Sequence, residues 1–317
     1  MEFREFCNYV RDNILDYLPE DFAQSDVTID GTMKNNGVFR QGLSIRTPDS
    51  NIAPKVYLEE FYRAYDRGFT IEEICHKIAE EYQKHMVKDL PFAMETVTDY
   101  EKAKSNITMK VVSAKTNKIL LRERPSTKLD DLAVFYQIEV NGMPDGRASI
   151  PITNEILQRW DVPIAEVHKA AMENTERIFP SKLFTMESAI FGVEENFLSG
   201  SEYELSGPPM LVLTNNEMNG GAAAIANPDV LSRVSEVIND SYYILPSSVH
   251  EVIIMPKEAV KEMGMTAKEM GAMVRGVNAN EVSREEQLSD HIYEYDKDRK
   301  VLETIKDSKE KSMDMER

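Results

Sequence analysis

The chain reads as an α+β protein, and three observations carry that reading. Apolar residues recur at three- and four-residue spacing in segments along the whole length, the pattern of helices with one buried face. Between these segments lie short runs rich in β-branched and aromatic residues, of which Leu132 to Val140 (LAVFYQIEV) is the clearest. Turn signals such as Asn36-Gly37 join some of the runs as hairpins.

The first 90 residues predict a helix–hairpin–helix unit. Phe3, Phe6, Val10, Ile14 and Leu18 share one face of a helix over 1–18. Asp26 to Ile29 and Val38 to Ile45 alternate around Lys34-Asn35-Asn36-Gly37, where Asn-Gly supplies the positive φ angles of a tight turn. Val56-Tyr57-Leu58 leads into a helix ending near Gly68. Thr70 and Glu73 form a capping box for a helix over 71–86, with Ile71, Ile74, Cys75, Ile78 and Tyr82 inward.

Residues 91–209 predict a central β-hairpin with helices. Pro91 to Asn106 is a polar connection with a helical turn, Ile107 to Val112 a strand, and Asn117 to Arg122 a short helix. The strand Leu132 to Val140 turns at Asn141 to Gly146 and returns through Arg147 to Ile152. Asn154 caps a helix carrying Ile156, Leu157 and Trp160, and Pro163 sits in the first turn of the next, about 163–177, which Phe179-Pro180 ends. Residues 195–209, with Gly and two Pro, read as a loop and boundary.

Residues 210–305 predict a sheet unit: strand 210–214, helix 228–238, strand 242–246, strand 250–255, helix 266–277, strand 290–296. This β-α-β-β-α-β order is that of a ferredoxin-like split βαβ unit. The helices have apolar sides, Val230, Leu231, Val234 and Ile238 in one and Met270, Met273, Val274 and Val277 in the other. Both are expected on one face of a mixed or antiparallel sheet. A closing hairpin runs from Asp296-Lys297-Asp298 into Val301 to Ile305, and the charged tail 306–317 is expected to fray.

Composition narrows function. The 317 residues carry 37 basic and 55 acidic side chains, a formal charge of −18. Such a field repels phosphate backbones, so free nucleic acid is not an expected partner. No apolar run approaches the roughly 18 residues of a membrane span, and the opening MEFREFCNYVRDNILDYL mixes charge throughout, unlike a signal peptide. Cys7 and Cys75 lie in helical patterns without metal-type spacing, which predicts buried thiols in a reducing, cytoplasmic compartment.

Potentially reactive side chains concentrate between Leu211 and Pro256. Ser247, Ser248, His250 and Glu251 place two hydroxyls, an imidazole and a carboxylate within five residues. A Ser–His–acid device needs those groups to converge in space. In an extended segment Ser248 and His250 share one face while Glu251 points to the other, and the nucleophile elbow G-x-S-x-G is absent. The alternative is a Pro-Ser-Ser turn whose hydroxyls satisfy backbone groups, with His250 opening the next strand.

His250-Glu251 begins like H-E-x-x-H, but Ile254 stands where the second His belongs and the segment reads as strand. If strands 250–255 and 290–296 are neighbours, His250 and His291 approach, with Asp290 or Glu251 as further metal ligands; the reading adopted is no metal and no cofactor. Asn215, Asn216, Gly220 and Gly221 form a loop between a strand and a helix, where glycine lets backbone come close to a ligand. The loop matches neither G-x-x-x-x-G-K-[ST] nor G-x-G-x-x-G.

Several phrases span the chain in order: Lys34-Asn35-Asn36-Gly37, Tyr57-Leu58-Glu59, Asp131-Leu132-Ala133-Val134, Ile152-Thr153-Asn154-Glu155 with Trp160, and Asn174-Thr175. Leu213-Thr214-Asn215, Gly221 to Ile225, YILPSSVHEVIIMP and Ser289-Asp290-His291 follow. Together they resemble an uncharacterised bacterial family, a domain of unknown function common in gut Firmicutes. The resemblance implies one architecture over about 300 residues and brings no activity, cofactor or catalytic residue. The leading expectation is a cytoplasmic protein that binds a protein partner without chemistry of its own. The alternatives are a hydrolase or ligand-processing enzyme centred on Ser247, Ser248, His250 and Asn215, and an acidic nucleic-acid mimic that inhibits a basic enzyme.

Overall fold

The computed structural model describes residues 1–48, 53–86, 95–140, 148–200, 203 and 210–305. The expected turn at 141–146, most of the loop at 201–209 and the tail at 306–317 lie outside the described residues. The chain divides into two compact units, Met1–Thr96 with Glu139–Ile150, and Val97–Ile138 with Pro151–Arg317. Among the described residues no helix is long and apolar enough to cross a membrane.

In the first unit α1 (Phe3–Asn13) starts at a capping box of Glu2 and Glu5 and buries Phe6 and Val10, with Ile14 in the 3-10 turn that follows. Strands β1 (Asp26–Met33) and β2 (Phe39–Arg46) pair antiparallel, and β3 (Val56–Tyr57) adds to β2. Between β1 and β2, Asn36 and Gly37 take φ of 57° and 69°, as the Asn-Gly pair demands. Helices α2 (Glu59–Asp66) and α3 (Ile71–Lys84) follow, α3 with the Thr70/Glu73 capping box formed in both directions. Phe6, Val10 and Ile14 meet Leu43, Ile45, Ile74, Ile78 and Tyr82 in one core.

Downstream come α4 (Glu95–Thr98), α5 (Tyr100–Ala103), β4 (Ile107–Ser113), α6 (Lys118–Arg122), β5 (Ser126–Leu129) and β6 (Leu132–Val140). They lead to β7 (Ala148–Pro151), α7 (Asn154–Trp160) and α8 (Ile164–Ile178). β6 lies between β4 and β5, pairs with β7, and is buried along its whole length. β5 was not expected: it turns into β6 through Asp130-Asp131, with Asp130 at φ 52°, a turn without an Asn-Gly signal. The cap of α7 is Thr153, whose hydroxyl accepts the Ile156 N–H at 3.2 Å, not Asn154. Asn154 instead donates to the Arg122 carbonyl at 2.7 Å.

The remaining strands form one six-stranded antiparallel sheet. Its elements are β8 (Ser181–Thr185), α9 (Met186–Phe191), β9 (Leu211–Asn215), α10 (Pro228–Ile238) and β10 (Tyr242–Leu245). After them come β11 (Val252–Pro256), α11 (Lys257–Glu262), α12 (Ala267–Asn280), β12 (Ile292–Asp296) and β13 (Val301–Ile305). The order across the sheet is β13-β12-β10-β11-β9-β8. β9 and β10 are both antiparallel to β11, hence parallel to each other around it. β11 and β12 stand in the same relation around β10.

Two split βαβ units are thus interleaved, but this is not the ferredoxin-like sheet. There the last strand lies beside the first; here β12 lies beside β10, and β8 takes the free side of β9. The difference also corrects the expectation that both helices share a face. Tyr242 donates its hydroxyl to the Leu231 carbonyl of α10 at 2.9 Å and stacks on Tyr295. On the other face, Leu245, Met255 and Ile292 form a core with Met270 and Val274 of α12. The physical reason is handedness. Both crossovers step the same way across the sheet but start from strands of opposite direction, so two right-handed connections land on opposite faces.

Candidate functional site

Residues 246–251 join β10 to β11 and run antiparallel to 286–289. The Ser289 and Leu288 N–H groups donate to the carbonyls of Pro246 and Ser247 at 3.1 and 3.2 Å, and Val249 N–H donates to Glu286 at 2.8 Å. Ser248 is buried, and its hydroxyl oxygen accepts the main-chain N–H of His250 at 2.9 Å. The His250 ring faces elsewhere. Its Nδ1 accepts the Gly220 N–H at 3.2 Å, and its Nε2 lies 3.6 Å from Glu286. The carboxylate beside the imidazole is therefore Glu286; the side chains of Ser247 and Glu251 take no part in this network.

The loop after β9 meets the same histidine. Asn215 is buried, and its Oδ1 accepts the N–H groups of Glu217 and Asn219 at 3.0 and 3.2 Å while its Nδ2 donates to the Asn219 carbonyl at 2.9 Å. These bonds fold the loop on itself. Asn216 is exposed. Gly220 has φ 67°. At Gly221 a Cβ would stand 2.3 Å from the Thr214 hydroxyl, 2.6 Å from the His250 carbonyl oxygen and 2.7 Å from the Asn215 nitrogen, so only glycine fits. Thr214 donates to that carbonyl at 2.7 Å. The two clusters marked by the sequence, the Ser-Ser-Val-His turn and the Asn215–Gly221 loop, are one constellation.

A cleft opens beside it, lined by Asn215, Gly220, Gly221, Thr175, Glu176 and Phe179 among others, with enclosed room for about one water molecule. That is far below the roughly 300–1,000 Å³ of small-molecule sites. Its charged group is already committed: Glu176 pairs with Arg233 at 2.8 Å through Oε1 and accepts the Ser181 hydroxyl at 2.6 Å through Oε2.

The proposed meeting of His250 and His291 does not occur through neighbouring strands, because β10 lies between β11 and β12. His291 has a partner that sequence reasoning missed. Asp131, in the β5–β6 turn, accepts His291 Nδ1 at 2.9 Å and the Ser289 hydroxyl at 3.0 Å on Oδ2, and the Tyr293 hydroxyl on Oδ1. Burial raises the Asp131 pKa, but the bonds from His291, Tyr293 and Ser289 outweigh it and hold the carboxyl below its usual range. Burial, with Asp131 next, pushes the Tyr293 phenol up. Nothing in a single sequence links residues about 160 positions apart; the only local signal was an Asp-Asp pair between two leucines. Among the described residues no group of three or more His, Cys, Asp or Glu side chains is arranged to hold a metal ion.

Residues 3–297 match the family described as "Family of unknown function (DUF5688)", and the chain belongs to that family. No curated protein and no solved structure matches it. Two of the phrases that carry the resemblance, Asp131-Leu132-Ala133-Val134 and Ser289-Asp290-His291, meet at the Asp131 carboxylate.

Proposed function

We propose that this protein acts in the cytoplasm by binding a basic protein partner and performs no chemistry at the Ser247–His250 corner. The observation that carries the reading is how the corner spends its polar groups. A serine nucleophile must hand its proton to an imidazole nitrogen. Here His250 turns Nδ1 to the Gly220 N–H and Nε2 to Glu286, and the Ser248 oxygen accepts a main-chain N–H instead of facing the ring. Both side chains hold backbone in place, as turn residues do. The charge of −18 favours a cationic partner. The two cysteines are buried and unpaired, which suits a reducing compartment.

A serine-directed fluorophosphonate should leave the protein unlabelled, and the immobilised protein should retain a basic protein from native lysate that rising salt releases. Labelling at Ser247 or Ser248 that disappears in His250→Ala would overturn the reading in favour of a hydrolase.

A further inference from the structure

The three most exposed large apolar side chains among the described residues fall in one four-residue stretch: Phe191 at 77%, Ile190 at 70% and Val193 at 59%. Exposed hydrophobics scattered singly are ordinary, whereas a contiguous set marks an interaction surface. These three sit at the end of α9 and in the turn after it, where Gly192 takes φ 66° and the Val193 N–H closes on the Ser188 carbonyl at 3.1 Å. The tip is braced from below. Glu195 accepts the Thr185 N–H at 3.0 Å and the Ser188 hydroxyl at 2.8 Å, and the Phe197 N–H donates to the Leu183 carbonyl at 2.8 Å. A knob held this way loses little freedom when it is covered.

The neighbouring sheet edge offers no competing mode of recognition. β8 is the edge strand, and the N–H groups that point away from β9 are already taken by side chains. Ser181 donates to Glu176 at 3.2 Å, Leu183 to Asn196 at 3.1 Å, and Thr185 to Glu195. An added strand finds no free donors there.

The surroundings define the chemistry of the occupant. From residue 183 to residue 200 the chain contains no Lys, Arg or His and three acidic residues, Glu187, Glu194 and Glu195. Glu187 and Glu194, both exposed, flank the knob. A second copy of this chain would bring the same anionic rim, which like-charge repulsion disfavours. We infer that Ile190, Phe191 and Val193 form a docking knob for a cationic amphipathic helix, whose apolar face covers the knob while its Lys or Arg residues meet the acidic rim. This inference rests on the binding reading above and gives it a location.

The test uses three synthetic peptides: a Leu/Lys amphipathic helix, its Lys→Gln counterpart, and a scrambled peptide of the same Leu/Lys composition. Binding is followed by fluorescence anisotropy against the full chain and against the Ile190→Ser/Phe191→Ser double variant. Both substituted residues are exposed, so circular dichroism should show an unchanged fold. The full chain should bind the amphipathic cationic peptide at least about tenfold more tightly than either control, and the double variant should lose about tenfold, as for other interface anchors. Equal binding of the scrambled peptide, equal binding of the Gln peptide, or an undiminished affinity in the variant would each refute the knob. So would a dimer of the full chain that the double substitution dissociates. If the double variant still retains the partner captured from lysate, the knob is wrong and the binding reading stands. Fluorophosphonate labelling that depends on His250 removes the binding reading itself.

Discussion

Gly221 and Gly37 both resist substitution, for different reasons. A methyl group at Gly221 would press on the His250 carbonyl and the Asn215 nitrogen, which are backbone atoms that cannot swing aside. Gly221→Ala should therefore destabilise the protein by roughly 1–3 kcal/mol, as overpacking does. Around Gly37 nothing lies within 4 Å of an added Cβ, and only the φ of 69° resists. Gly37→Val should cost about 1 kcal/mol or more through backbone strain alone. Urea unfolding midpoints check both, and an unchanged midpoint in either variant contradicts its assignment. Asp131 gives a prediction in pH. Its carboxyl titrates lower in the folded chain than in the unfolded one. Its contribution is therefore complete above the unfolded value of about 3.9 and disappears as pH falls through the folded value. Asp131→Asn should be less stable than the parent at pH 7, and the gap should close on acidification. A gap that stays constant down the acid limb would show that the carboxylate charge is not what stabilises the node.

At the scale of elements, α10 and α12 were legible because the 3.6-residue period of each reports its own buried side. The period overstated the width of that side in α12. Met270 and Val274 are buried, but Met273 and Val277, assigned to the same stripe, are 38% and 40% exposed. Met270→Ala should cost about 2–5 kcal/mol as a core truncation. Val277→Ala should stay within roughly 0.5 kcal/mol. Thermal or urea unfolding of the two variants decides, and equal losses would mean the helix is rotated from the orientation described. Which face each helix covers was not legible, because it depends on β12 pairing with β10 across about fifty residues. β5 (STKL) and β8 (SKLFT) were missed because polar residues outnumber apolar ones in both, and α9 and α11 because six residues are too short to display a helical period. The candidate site divides in the same way. Ser248, His250, Asn215 and Gly221 stand within one short stretch of sequence and could be read as a cluster. Asp131 belongs with His291 only after the fold has brought them together.

For the whole molecule the strongest influence is charge. At −18 the folded chain repels itself, and screening relieves that repulsion within a Debye length of roughly 8–10 Å at physiological ionic strength. The melting temperature should rise when sodium chloride is added to a low-salt buffer. A fall would mean that the surface ion pairs, such as Arg299 with Asp296 and Glu303, matter more than the net repulsion. The cysteines add a second whole-molecule property. Burial first, then Glu59, pushes the Cys7 thiol up to about 11, and burial, then Glu72, does the same for Cys75. Neither presents a thiolate near neutral pH, so both serve as core residues.

The strand order also sets a timetable for synthesis. β9, β10 and β11 are all synthesised by residue 256, but the neighbour that covers the far edge of β10 begins only at Ile292. Until then the hydrogen-bonding edge of Tyr-Tyr-Ile-Leu stands open on a nascent chain. The carboxylate of Asp131 meanwhile waits for Tyr293, 162 residues behind it. At about 5–20 residues per second that delay is roughly 8 to 30 s. Chains terminated before β12 should therefore aggregate through this edge, as sedimentation of truncated translation products would reveal, while the completed chain closes it with two further strands.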